Sequence, residues 1–449
     1  MSGPGGEKEL SGFSIDTRTI SPGDMFVAIH GERFDGNTYV AEAVRKGAIG
    51  AIVSDAALPA DAGLAGTPLV VVPDTIAALQ TLANRVRRDS GAAVVAVTGS
   101  AGKSTTKEIT AEFLAARYTV FRNKGNLNNH IGLPLSLLEL RTKPDIGVLE
   151  LGMNHFGEIS ALVKIAEPEV RVWTNVGPAH LEFFGTVEAI AEAKAEILEG
   201  ADKDSLLVAN ADDDLVMQHA PKFGGRVRTF GVERPADVRA LAVRDLGIDG
   251  TAALIRTPIG EAEIRTPLPG TANLSNVLAA AAVAIRFDVP LSDVVERAAQ
   301  LKPVARRGEV VRAGGVTIVD DSYNSNPKAL TRALAMLAGE TRFARRIAVV
   351  GEMLELGPAA PALHRAAGEQ AARSGISELV AVGGNNAKAV ADGAIAAGMP
   401  PSQVHFVGNS RDAADLARTL VRPGDLVLVK GSRGIRTEVV VERIKAELA

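Results

Sequence analysis

The chain has no cysteine, a single tryptophan and three tyrosines, and aromatic residues fill only 4% of its 449 positions. Without cysteine there is no disulfide, no thiolate nucleophile and no Cys-ligated zinc, which fits a reducing compartment. With so few aromatics the core must rest on Ala, Val and Leu, which favours α/β layers over an aromatic-rich sandwich. No stretch approaches the ~20 uninterrupted apolar residues of a membrane span. The opening segment MSGPGGEKELSG lacks a basic stretch followed by an apolar one. No signal peptide is expected, and the location expected is cytoplasmic. Charge of one sign is missing too: the net value of -4 is spread without long runs. There is therefore no electrostatic footprint for nucleic acid or an anionic membrane.

What is there is length and alternation. A chain of 449 residues exceeds what one hydrophobic core supports, so two or three domains are expected. The first ~90 residues read as one unit. It has strands at Asp24–Ile29, AIGAIV and PLVVV, a helix at Tyr39–Ala48, and a second helix ending at Gly91. A second unit follows, with strands beginning near Ala92, Asp145, Val170 and Asp204 and helices between them, as in a mainly parallel sheet. Near Arg306 the pattern restarts. VTIVDDSYN, RIAVVGEM, ELVAVGGN, VHFVGN and DLVLVKGS are short strands that each end in glycine or polar residues before a helix. A further open, parallel sheet is expected there, with ligands beyond the carboxyl ends of its strands.

The strongest chemical signal is VVAVTGSAGKSTTKE, from Val94 to Glu108. An apolar strand feeds a glycine-rich turn that opens directly into a helix. Gly99 and Gly102 let backbone N–H groups curl round an anion without Cβ clashes. The helix N-terminus adds donors and a positive dipole end. Lys103 can reach a β- or γ-phosphate and Ser104 can ligate Mg²⁺. The spacing is tighter than GxxxxGK[ST], because the earlier glycine sits only three positions before Gly102.

Other candidates are ambiguous one by one. Glu150 ends an apolar strand, where it can hold Mg²⁺ on a nucleotide or face solvent. His180 lies in the Gly/Pro-containing loop TNVGPAHLEFFG after a strand, placed for a second metal, although most histidines are merely packed or exposed. Lys194, in an Ala- and Glu-rich helix, reads from its spacing as a solvated surface partner. The amides of NKGNLNNHIGLP suit a polar ligand or a hydrogen-bonded turn. Asp320 to Pro327 crowd a strand end, and of Asp320 and Asp321 only one faces the site if the strand continues. Capping of the next helix is the plainer account. Lys430 and Arg433 in KGSRG suit an anionic ligand or a solvated basic turn.

Taken together, GSAGKSTTKE, NLNNHIGLP, LELGMNHFGEI, NVGPAHLEFFG, DDSYNSNP, GEMLELG and KGSRG resemble the Mur ligases of bacterial cell-wall synthesis, over nearly the whole chain. The resemblance implies an α/β protein of three domains. Residues 1–90 would be an N-terminal α/β domain for the UDP-substrate, 91–305 a central P-loop ATPase with a mainly parallel sheet, and 306–449 a Rossmann-like domain that closes over ATP and binds D-Ala-D-Ala. It implies ATP-dependent ligation through an acyl phosphate, with ATP and Mg²⁺ at two sites as cofactors. The substrates implied are UDP-MurNAc-tripeptide and D-Ala-D-Ala, and the protein is expected to be a monomer.

By the same resemblance Gly99, Ser100, Ala101, Gly102, Lys103, Ser104 and Thr105 cradle ATP. Lys103 holds its β/γ-phosphates; Ser104 and Glu150 serve the first Mg²⁺; His180 and a carbamylated Lys194 serve the second. That reverses the surface reading of Lys194. Asn273 and Asn276 match the adenine contacts, and Arg307 (or its neighbour Arg306) and Asp321 the closing third domain. Thr17, Arg18 and the loop from Glu32 to Asp35 match the uridine-diphosphate side, and Tyr323 and Asn326 the dipeptide pocket. One departure is visible: the family usually reads Gly-x-His-Asn where this chain has Gly270-Thr271-Ala272-Asn273. The branch that adds the third amino acid carries an Asp-Asn-Pro-Arg motif absent here, and GEMLELG with DDSYNSNP points to the dipeptide-adding branch. The alternatives are that sister branch, folylpolyglutamate synthase, which lacks such a first domain, and a P-loop ATPase switch that ligates nothing.

Overall fold

A computed structural model describes residues 10–31, 34–60 and 62–448. The chain forms two compact units. One contains the described chain up to Ala96, together with Tyr118–Met153 and Gly157–Glu169. The other contains Val97–Arg117, Asn154–Phe156 and the described chain from Val170 onward.

The first unit opens with a four-stranded parallel sheet in sequence order: β1 (Gly12–Ser14), β2 (Asp24–Val27), β3 (Gly50–Val53) and β4 (Leu69–Val71). Phe26, Ala28, Val40, Ala43, Ala51 and Val53 form its core. The helix Thr75–Ser90 starts at Asp74, whose carboxylate accepts from the N–H groups of Ile76 and Ala77, and stops at Gly91 in the left-handed region (φ 72°). Both ends thus carry the cap residues that helix termini favour. Strand β5 (Ala93–Thr98) begins in this unit, followed by β6 (Val120–Arg122) and β7 (Ile146–Glu150), which pair in parallel.

In the second unit β8 (Val170–Trp173), β9 (Leu206–Asn210) and β10 (Arg226–Gly231) run parallel. Strand β11 (Val238–Asp245) continues the sheet, and β12 (Thr251–Thr257) and β13 (Gly260–Thr266) complete an antiparallel meander. The apolar helix Gly270–Arg286 follows. A six-stranded sheet then has the order β14-β15-β19-β16-β17-β18. Its strands are β14 (Glu309–Ala313), β15 (Val316–Asp321), β16 (Arg346–Gly351), β17 (Glu378–Val382), β18 (Val404–Val407) and β19 (Leu426–Lys430). All five expected strands are parallel, and β14 adds an antiparallel edge that the sequence reading missed. Along β19, Leu426 and Leu428 face one core while Val427 and Val429 face the other. Helices cover both faces, so the strands read as continuous apolar runs.

Candidate active site

The phosphate loop is built by the end of β5 and the start of the helix Lys103–Leu114. Residues 174–177, after β8, hold it in place. The Thr174 hydroxyl donates to the Ala101 carbonyl (2.7 Å), and the Ala101 and Ser100 N–H groups donate to Asn175 Oδ1 (3.0 Å) and the Asn175 carbonyl (2.9 Å). Asn175 Nδ2 returns a bond to the Ala101 carbonyl at 2.9 Å, and the Ser100 hydroxyl exchanges bonds with the Gly177 backbone at 3.0–3.1 Å. The glycines are required here. Gly99 has φ 146°, and a Cβ there would lie 2.0 Å from Thr174 Oγ1; Gly102 has φ 83°, and a Cβ there would lie 2.5 Å from Asn276 Oδ1. The result is a bare backbone cradle whose shape a single methyl would destroy, as a phosphate site needs. Lys103 folds back over it, Nζ donating to the Gly99 carbonyl at 2.8 Å, and Ser104 is buried at the first turn of the helix.

Asn276, expected at the adenine, is buried against this loop and accepts a bond from the Thr106 hydroxyl at 3.1 Å. Asn273 donates to the Pro269 carbonyl (2.8 Å) one turn back. Thr174 and Asn175 brace the loop more directly than either. Their signal in the sequence is two polar residues directly after the buried strand VRVW.

In the same unit His180 sits in the left-handed region (φ 62°), before the short helix Leu181–Phe184. Its Nδ1 lies 2.5 Å from Glu355 Oε2, in the GEMLELG loop after β16, and Glu182 N–H donates to the Glu355 carbonyl at 3.1 Å. The hydrogen bond from His180 holds the Glu355 carboxyl below the usual glutamate range. Lys194 is 1% exposed on the helix Val187–Ala195, which overturns the surface reading of its spacing. Exposed Phe156 and Phe183 lie beside this loop, Phe183 against His155 and Phe156 edge-on to Phe184.

The strand ends of the last sheet bring the next group together. Lys430 Nζ pairs with Asp321 Oδ2 (2.6 Å) and donates to the Asn324 carbonyl (3.0 Å), while Arg433 pairs with Glu438 at 2.7 Å. Both basic residues of KGSRG pair with carboxylates of the same domain; Lys430 is buried, against the solvated-turn reading, whereas Arg433 stays 57% exposed, as that reading expects. Asp320 points inward, as alternation required; burial raises its carboxyl, although it accepts from Ser322 Oγ at 2.5 Å. Arg306 pairs with Glu438 and Glu442, whereas the Arg307 guanidinium lies 4.1 Å from the Tyr323 ring centroid. Asn326 caps the helix Pro327–Gly339 by accepting from Ala329 N–H.

Glu150 belongs to the first unit. It ends β7, its Oε1 accepting from Asn128 Nδ2 at 2.8 Å and its N–H donating to Asn123 Oδ1 at 3.0 Å. The amides of Asn123, Asn128 and Asn129 are therefore used internally, Asn129 Oδ1 accepting from the Gly132 N–H (2.8 Å) where the helix Gly132–Leu138 begins. Thr17 offers its carbonyl to Lys46 (3.0 Å), and Arg18 is a bidentate partner of Asp16, whose carboxyl it lowers to about 2. Asp35 accepts from Asn37 N–H (2.9 Å) and Nδ2 (2.7 Å). Glu32 lies outside the described residues.

The sequence matches the Mur ligase family catalytic domain over residues 9–87, the Mur ligase middle domain over 97–284 and the Mur ligase glutamate ligase domain over 306–433. It is 35% identical to the UDP-N-acetylmuramoyl-tripeptide–D-alanyl-D-alanine ligase of Escherichia coli, across 98% of this chain and 95% of that one. The chain belongs to the Mur ligase family. The ligase of the same name from Bacillus subtilis is 32% identical over 96% of this chain and 93% of its own length. Among solved structures, MurF from Acinetobacter baumannii superimposes with a TM-score of 0.87 at 31% identity, covering 97% of this Mur ligase and 94% of that chain. MurF from Thermotoga maritima, solved in complex with ADP, gives 0.84 at 31% identity and 98% coverage of both chains. A diaminopimelate ligase gives only 0.55 at 20% identity, which speaks to fold alone.

No cluster of three or more His, Asp or Glu at metal-binding distance occurs among the described residues. Magnesium commonly takes most of its ligands from substrate phosphates and water, with one or two from protein. The donor set here, the Ser104 hydroxyl beside a bare phosphate cradle, fits that style of binding. No helix among the described residues is long and apolar enough to cross a membrane.

Proposed function

We propose that this Mur ligase joins D-alanyl-D-alanine to UDP-N-acetylmuramoyl-tripeptide with conversion of ATP to ADP and phosphate, in peptidoglycan precursor synthesis. The observation that carries this reading is the braced phosphate loop at residues 99–105 in a chain whose relatives of that name align almost end to end with it. The tripeptide's terminal carboxylate oxygen attacks the γ-phosphorus, and ADP leaves with the bonding electrons. The dipeptide amine then attacks the acyl carbon, phosphate departs, and the nitrogen loses a proton. Two anions must meet in the first step, so charge has to be neutralised around them.

In this reading the backbone of Gly99 to Thr105 and the Lys103 ammonium hold the β- and γ-phosphates. Ser104 and Glu150 hold one magnesium ion, and His180 with carbamylated Lys194 a second. Bound Mg²⁺ would supply positive charge to phosphate oxygens and to the developing acyl phosphate. Carbamylation forms an N–C bond between the lysine amine and CO₂ with release of a proton, turning a cation into a carboxylate-like metal partner. Asn273 and Asn276 shape the nucleotide end of the site, and Arg307 and Asp321 serve the third domain over ATP. Arg307 is preferred to Arg306 because Arg306 is tied to Glu438 and Glu442. Tyr323 and Asn326 are offered to the dipeptide, and Thr17, Arg18, Glu32 and Asp35 to the uridine diphosphate. The domains proposed are 1–90, 91–305 and 306–449, in a cytoplasmic monomer.

ATP turnover tests this directly. Phosphate release is expected to need both the UDP-linked tripeptide and the dipeptide, and substantial turnover with neither would sink the ligase reading in favour of an ATPase switch. Lys103→Ala should fold normally and lose ligation. Near-wild-type activity in that variant would refute the role of the phosphate loop.

A further inference from the structure

We infer that Glu355 is a positioning residue for His180, fixing which ring nitrogen is presented to the metal. This rests on the ligase reading for the metal and on geometry for the rest. Glu355 Oε2 lies 2.5 Å from His180 Nδ1. An ionised carboxylate only accepts hydrogen bonds, so the facing nitrogen must carry the hydrogen. A neutral ring with Nδ1–H has its lone pair on Nε2, on the side turned away from Glu355. A carboxylate behind a ligating imidazole is a recurrent way to set tautomer and ring orientation and to raise ligand basicity.

Two further observations make the pairing specific. His180 and Glu355 both have φ 62°, a left-handed backbone uncommon in residues other than glycine. Such conformations persist where surroundings over-determine them, and they gather at functional sites. The backbones are joined as well, by Glu182 N–H donating to the Glu355 carbonyl at 3.1 Å. A Cβ on nearby Gly357 would come within 3.2 Å of Glu182 Cα, so the two loops lie in close contact. Behind Glu355, its loop is pinned by buried His364, whose Nε2 accepts from Met353 N–H at 2.8 Å, and by Ser432, whose hydroxyl accepts from Leu354 N–H at 2.9 Å. The orientation of a ring on the loop after β8 is thus set from the loop after β16, and loss of the second loop's place leaves His180 without its guide.

Glu355→Gln and Glu355→Gly separate this role from mere support. Gln keeps the length and an acceptor oxygen; Gly removes the side chain and relaxes the left-handed backbone, so its fold is expected to be retained. Imidazole ¹⁵N shifts of His180, read on the ligand-free protein in mildly alkaline buffer, should show Nδ1–H in wild type and Gln. In Gly they should shift toward Nε2–H, the form that free imidazole side chains favour. The Mg²⁺ concentration for half-maximal ligation should rise about 10-fold or more in Gly, as for lost outer-shell partners, and stay within about 2-fold in Gln. An unchanged tautomer in Gly, or an equal loss in Gln and Gly, would overturn the proposal. Absence of ligation by wild type with both substrates would instead overturn the ligase reading, while the nitrogen shifts would still stand as measured.

Discussion

Lys194 shows how far a single residue can depart from its local sequence. EAIAEAKAEILEG is Ala-rich and studded with glutamates, and i,i+4 spacing makes its lysine look like a solvated partner. In the fold it is 1% exposed. A long cationic side chain is seldom buried this fully, and nothing in the local spacing announces it. In the proposed reaction it carries a charge beside the second metal, and its removal tests that role. Lys194→Ala is expected to lose ligation by ~100-fold or more, comparable to the loss of one preorganised electrostatic group. If the proposed carbamate forms, short carboxylic acids should restore part of the activity by standing in for it. Full activity without any additive would remove Lys194 from the site. Glu355 was illegible for a related reason: its partner lies 175 residues away in the chain, and nothing in GEMLELG announces a histidine.

At the level of elements the sequence was more forthcoming. The strand–turn–helix at Val94–Glu108 and the glycine stop at Gly91 are local patterns set by spacing and caps, and they appear where expected. What the pattern did not reveal is the side on which each element meets its neighbour. The helix Gly270–Arg286 carries consecutive alanines, Ala279–Ala282, all fully buried, and it packs against the helix Lys103–Leu114. Small side chains permit the close approach that brings Asn276 Oδ1 to Thr106 and to Gly102. Ala280 is four residues beyond Asn276 and therefore on the same face. Ala280→Leu should overpack this contact and cost about 1–3 kcal/mol of stability. It should also weaken nucleotide binding through displacement of Asn276, visible as a raised KM for ATP. Unfolding curves and ATP titrations on the same protein check both. An unchanged melting temperature with an unchanged KM would show that the two helices have room to spare there.

On the scale of the whole molecule, the restart of alternating strands near Arg306 was readable, whereas the junctions holding the second unit together were not. The turn Gly247–Asp249 is one such junction. Ile248 N–H donates to Glu340 Oε1 at 2.5 Å, Arg342 bridges Asp249 and Glu340, and Ile248 joins the core of the last sheet. These contacts depend on pairing across about ninety residues of chain, which no local pattern encodes. Such long-range polar contacts also set how stability responds to pH. Arg342 lowers the Asp249 carboxyl, Arg88 that of Glu167 and Arg234 that of Asp214, so each group stabilises above its ordinary range and loses that effect as pH falls through its depressed value. Asp320, raised by burial, works in the opposite sense.

Two histidines act at higher pH. Burial lowers both His219 and His364 from the ordinary 6.5. Below 6.5 the unfolded chain takes up protons that the folded rings refuse, so stability falls as pH drops from there toward the depressed values. Loss of stability is therefore expected in two stages, a shallow one starting near pH 6.5 and a steeper one below about 4, where the carboxylates protonate. Thermal melts across that range measure the stages, and imidazole titration by NMR identifies the groups. Both rings should titrate below 6.5; a His364 ring that titrates above it would mean that Nε2 is protonated there and cannot accept the Met353 N–H, and the first stage would then have to come from elsewhere.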